Sequence, residues 1–89
     1  MKSLSDWREQ IDSLDRDLVA LLNARARIVL GLAPVKRERG VPVHEPEREE
    51  QVLSNIRSSN EGPLTNDALE RVYDAVIREM RAMQRQRDD

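Results

Sequence analysis

Arg25 interrupts an apolar series that otherwise steps by three and four residues: Leu4, Trp7, Ile11, Leu14, Leu18, Leu21, then Ile28, Leu32 and Val35. Such a series is the seam of a helix packed against other helices, and a guanidinium on that seam is costly unless an anion meets it. Two anions are open: a carboxylate on a neighbouring helix, fixing register, or a bound ligand. Lys36 follows Arg25 by eleven residues, which at about 100° per residue returns to within roughly 20° of the same face. Both cations therefore line one side of the helix, about three turns apart. Glu49 precedes Val52, Leu53 and Ile56 by three, four and seven residues, so a carboxylate shares their apolar face, with Arg48 beside it. Gln84 lies one turn beyond Met80.

Cations, a carboxylate and an amide, with no hydroxyl or thiol nucleophile among them, suit a small dianion that carries a hydroxyl group. They act by charge and position, not by covalent catalysis. Plainer roles stand beside this one. Arg48 and Glu49 also fit the charged first turn of an ordinary helix, Gln84 near the C-terminus would ordinarily be solvated, and His44 reads as an exposed loop residue.

Three helices must position these groups. The first opens near Ser5 or Asp6 as N-cap and stops at Gly40, and if continuous it spans about 50 Å. The rest of the chain is too short to cover so long an apolar stripe, so a second copy is expected to do so. Gly40-Val41-Pro42-Val43-His44-Glu45-Pro46 is a rigid loop, with Pro46 suited to the first position of a short second helix reaching about Ser59. Asn60-Glu61-Gly62-Pro63 turns the chain again. Leu69, Val72, Tyr73, Val76, Ile77, Met80 and Met83 then mark a medium third helix capped by Thr65 or Asn66, its negative end carrying the cations from Arg78 to Arg87. Asp88 and Asp89 are expected to fray.

Composition bounds the class. Eighty-nine residues read as one domain over positions 1–89, near the size at which a lone core is marginal. Phe is absent and Trp and Tyr occur once each, so Leu, Ile, Val, Ala and Met must build an all-α core. Without Cys there is no disulfide or thiolate metal site, and a reducing, cytoplasmic setting fits. The net charge of -2 gives no basic field for nucleic acid. No unbroken apolar run approaches the roughly 18 residues of a membrane span, and Met1 to Trp7 lacks a secretory layout, so a soluble, unprocessed chain is expected.

The run Trp7-Arg8-Glu9-Gln10-Ile11-Asp12-Ser13-Leu14-Asp15, the segment Leu21-Leu22-Asn23-Ala24-Arg25, Lys36, Gly40-Val41-Pro42-Val43, Pro46-Glu47-Arg48-Glu49-Glu50-Gln51-Val52-Leu53 and Gln84 together resemble the all-α chorismate mutases. The resemblance covers nearly the whole chain and is ungapped from Arg8 to Glu49. It implies an intertwined homodimer in which two long first helices run side by side and each of two active sites draws on both chains. It also implies rearrangement of chorismate to prephenate without cofactor or metal. Arg8 would reach across from the partner chain, with Arg25, Arg48 and Lys36 coming from the other. The arginines would take the substrate carboxylates, Glu49 the hydroxyl, and Lys36 with Gln84 the ether oxygen. Glu45 stands where relatives usually have Asp, contributing partly through its backbone. Arg8 is rotated about 260° from Arg25, compatible with service to a different site.

Two positions depart from the family pattern. Pro34 lies inside the first helix, where it removes a hydrogen bond and clashes with the Leu30 carbonyl. The helix is expected to kink or break near Leu32, or to restart at Pro34 after ending at Gly31. Met80 stands where relatives often carry a small hydroxyl residue that contacts substrate; it packs or shapes the pocket but donates no hydrogen bond. Three rivals remain: a same-fold enzyme acting on isochorismate or aminodeoxychorismate, a regulatory module docking on a shikimate-pathway enzyme, and a ligand-free helical scaffold.

Overall fold

The computed structural model describes residues 1–88 and consists of three helices: α1 (Leu4–Glu38), α2 (Pro46–Ser59) and α3 (Asn66–Asp88). Asp89 lies outside the described residues, and the fraying expected there with it. Asp88 closes α3.

The N-cap of α1 is Ser3, upstream of the expected Ser5 or Asp6. Ser3 Oγ accepts the Asp6 N–H at 3.1 Å while Asp6 Oδ2 accepts the Ser3 N–H at 3.0 Å, a reciprocal capping box. Asp6 thus serves the cap from the first turn. At the other end the Val41 N–H reaches the Lys36 carbonyl at 2.8 Å and the Gly40 N–H the Arg37 carbonyl at 3.2 Å. This Schellman pair requires the left-handed φ of +70° at Gly40, which glycine adopts without a Cβ penalty.

Between these caps α1 is one unbroken helix of 35 residues that contains Pro34. The expected break near Leu32 and the restart at Pro34 do not occur. Pro34 forgoes one hydrogen bond, but the Schellman cap that follows within two turns and the packing of Ala33, 5% exposed, hold the turns on either side of it. The helix accounts for the molecule's long dimension, with extents of 57 × 24 × 15 Å.

Pro46 occupies the first turn of α2, as its fixed φ favours. Asn60 organises the turn to α3: its Oδ1 accepts the Gly62 N–H at 2.9 Å and its Nδ2 donates to the Leu64 carbonyl and to Asn66. Thr65 caps α3, its Oγ1 accepting the Ala68 N–H at 3.1 Å. Arg57 on α2 donates to Glu50 at 2.9 Å and to Glu70 on α3, and these two bonds raise its pKa above the ordinary guanidinium value.

Helix α3 packs on both α2 and α1, while α1 and α2 make no close backbone approach. The resulting core is thin: among the described residues Ala33 and Ile77 are the buried apolar ones, and no side chain is fully buried. Leu4, Trp7, Ile11, Leu14, Leu18, Leu21 and Leu22 are all exposed, so the seam read from the sequence has no cover within one chain.

An 18-residue window of the segment Leu4–Arg39 averages a hydropathy of 1.6, long and apolar enough by composition to cross a membrane. The sequence expectation counted unbroken runs, whereas the average absorbs isolated charges. Arg25 and Arg27 sit in mid-helix, where a bilayer disfavours them, and Arg25 faces a cavity built by the three helices.

Candidate active site

The C-terminal half of α1, the start of α2 and the last turns of α3 enclose a cavity of about 270 Å³, sized for a small ligand. Arg25, Lys36, Glu45, Arg48, Glu49, Met80 and Gln84 all line it. Their spacing places them together. Arg25 and Lys36 share a face of α1, Glu45 to Glu49 form the first turn of α2, and Met80 and Gln84 stand one turn apart on α3. Apolar walls come from Ile28, Leu32, Val52 and Ile77.

Lys36 is nearly buried, its side chain 11% exposed. Its Nζ donates to the Val43 carbonyl at 3.1 Å and pairs with Glu45 Oε2 at 3.0 Å. The loop that returns from α1 to α2 therefore anchors the ammonium from two directions. Glu45 is also the N-cap of α2: its backbone carbonyl accepts the Glu49 N–H at 3.0 Å, and its side chain is free of capping duty.

Gln84 is 4% exposed, against the solvated state a residue near a terminus would ordinarily have. Its Nε2 donates to the Val29 carbonyl of α1 at 3.1 Å, which orients the amide in the cavity wall. Arg48 is exposed; its Nη1 donates to Gln51 Oε1 at 2.6 Å, a neutral partner that leaves its charge uncompensated. Arg25 is half-buried and makes no ion pair among the described residues. The alternative of a register-fixing carboxylate for Arg25 is therefore not met within one chain.

Arg81 is the residue that sequence reasoning missed. Its Nη1 lies 3.1 Å from Glu49 Oε1 and 3.0 Å from Oε2, so a cation of α3 holds the carboxylate of α2 across the cavity. The signal existed: Ile77, Arg81 and Gln84 step by four and three along one face. It was hidden among the arginines that suit the end of α3. His44, otherwise exposed, brings Nε2 to 3.7 Å from Glu49 Oε1.

Arg8 is the expected site residue that the cavity lacks. It is exposed on α1, about 25 Å along the helix axis from Arg25 at 1.5 Å per residue. The lining cations Arg25, Lys36, Arg48 and Arg81 exceed the carboxylates Glu45 and Glu49 by two charges. Two of those cations, Lys36 and Arg81, are already paired with them. A half-apolar chamber with two uncompensated guanidiniums is matched to a dianion, and its fixed donors can stabilise charge that develops on a bound molecule.

Comparison with known proteins bears on the family and the fold. A bifunctional chorismate mutase/prephenate dehydratase of Aquifex aeolicus is 31% identical over 86% of this chain, which spans 22% of that protein's length. A chorismate mutase of Methanocaldococcus jannaschii is 25% identical, with 97% of this chain and 88% of that protein covered. The crystal structure of a chorismate mutase from Helicobacter pylori in complex with prephenate superposes with a TM-score of 0.86 at 31% identity, covering 93% of this chain and 90% of that one. The match to the type II chorismate mutase model runs from residue 7 to residue 85, through every helix that lines the cavity, and the chain belongs to that family.

Proposed function

We propose that the protein catalyses the rearrangement of chorismate to prephenate, as a homodimer whose two sites each use both chains. The observation that carries this reading is the surplus of two positive charges in the cavity, borne by Arg25 and Arg48, which have no carboxylate of their own among the described residues. Chorismate offers two carboxylates and a hydroxyl. Arg25 and Arg48 would receive carboxylates, with Arg8 of the second copy closing the site, and Glu49 would accept the hydroxyl.

The reaction is an intramolecular Claisen rearrangement: one ether C–O bond breaks, one C–C bond forms, and no proton is transferred. The protein therefore has two tasks, to hold the compact conformer and to favour the charge that builds on the ether oxygen. Lys36 and Gln84 suit the second. Both are anchored to backbone carbonyls, so their donors need little reorganisation as the bond lengthens. Met80 adds an apolar wall in place of a hydroxyl donor.

The dimer draws support from the thin core and the bare seam. A chain with Ala33 and Ile77 as its buried apolar residues and a row of exposed Leu and Ile on α1 gains most of its burial from a second copy. A reaction in aromatic amino acid biosynthesis and a chain without Cys agree with a cytoplasmic enzyme.

The decisive experiment follows prephenate formation from chorismate by the purified protein, with the mass in solution measured alongside. Turnover by a dimer is expected; a ligand-saturated monomer, or no turnover at all, ends the reading. A second reading, activation by a larger enzyme of the shikimate pathway, is favoured by the bifunctional relative in which the matched stretch adjoins another activity. It predicts low turnover alone and a gain on mixing with such an enzyme.

A further inference from the structure

We propose that Arg81 determines specificity at the carboxylate that receives the substrate's hydroxyl, by making that position accept a neutral O–H and refuse an ammonium. The inference rests on the mutase reading above and concerns how the same site tells a hydroxyl-bearing dianion from its amino analogue.

Glu49 is not a bare carboxylate. Arg81 Nη1 lies within 3.1 Å of both its oxygens, and the two side chains are only 21% and 25% exposed, so the pair is weakly screened. His44 stands 3.7 Å away on the loop that leads into α2 and adds a second cation whenever it is protonated. The charge of Glu49 is thus already met from the protein side, while its oxygens retain lone pairs for a hydrogen bond from the cavity. A hydroxyl needs only such a lone pair. An alkyl ammonium, charged at neutral pH like that of lysine, needs an uncompensated anion; the two carboxylates that both molecules share are taken by the surplus of two cations, and the amine leaves the bound molecule one negative charge short of that surplus. Removing the charge of Arg81 frees Glu49 to pair with the ammonium and lowers the surplus, so the preference should move toward the amine.

The test measures kcat/KM at neutral pH for chorismate and for aminodeoxychorismate, using the dimeric protein unaltered and as Arg81→Gln and Arg81→Lys. The unaltered protein should favour the hydroxyl substrate at least tenfold. Arg81→Gln should shift the ratio toward the amine by tenfold or more, and Arg81→Lys, which keeps the charge but not the forked geometry, should leave it near the original. A purely structural role would depress both substrates equally in both variants and overturn the inference. Equal use of the two substrates by the unaltered protein overturns it without any variant, even where Arg81→Gln fails to fold. If the unaltered protein turns over neither substrate, the mutase reading itself falls and this inference falls with it.

Discussion

The two halves of α1 carry the same apolar stepping, whose later members Ile28, Leu32 and Val35 stay exposed like Leu14 and Leu18, yet only the second half packs its other faces within the chain. From Ala24 onward the helix lies against α3: Ala33 is buried, Val29 and Leu30 are half-buried, and Arg25 and Lys36 face a cavity. Before Asn23 every residue is exposed, including Trp7, Ile11, Leu14 and Leu18, and the Lys2 ammonium lies over the Trp7 ring at 4.7 Å. Periodicity states that a face will be covered and is silent on what covers it. The covered half has its partners within 89 residues, and the bare half also holds Arg8, the expected site residue that the cavity lacks.

The sharpest way to break this contrast is Leu14→Glu, which puts a charge on the bare half while leaving the cavity untouched. If that face is a dimer interface, association should weaken by a thousandfold or more, about 4 kcal/mol, with activity lost in parallel. Sedimentation at several concentrations measures it, and a fully active variant of unchanged mass would mean the bare half serves neither assembly nor the site. Next in size is Lys36→Ala in the covered half: kcat should fall at least a hundredfold, about 3 kcal/mol, with the dimer intact by the same sedimentation.

Arg25→Leu separates the rival roles by sign. As a ligand-binding cation on a seam, its loss should raise KM ten- to a hundredfold while urea unfolding shows a dimer at least as stable. A protein with no ligand would gain the stability and lose nothing else, and a large loss of stability would reveal a carboxylate partner from the second chain. The smallest effect belongs to Ser3→Ala, which removes the cap of the bare half: about 1 kcal/mol of stability, read by urea denaturation, with kcat unchanged.

Much of the site was legible because helical geometry converts spacing into direction. Arg25 with Lys36, Glu49 with Val52 and Ile56, and Met80 with Gln84 each share a face by sequence separation alone, and all of the charged or amide members line the cavity. Arg81 was not legible in the same way. A cation near the end of a helix has an adequate local explanation in the helix dipole, and only the packing of α3 across α2 brings it to Glu49. Gln84 shows the same limit from the other side, since its burial depends on the Val29 carbonyl of a helix 55 residues away in the chain. At Pro34 the continuous helix excludes the break and the restart for a related reason: the local cost is real, but the Gly40 cap and the packing of Ala33 hold the helix together around it.

The sequence by itself determined the three helices, the faces they present and which of the cavity-lining residues share a face, because each follows from dihedral preference, capping and a period of 3.6 residues per turn. Tertiary structure alone decided that α1 stays whole through Pro34, that Lys36 is anchored by Val43 and Glu45, and that Arg81 holds Glu49. Those outcomes depend on contacts between separate elements, a helix with its return loop or one helix with another, whose energies no helical period encodes.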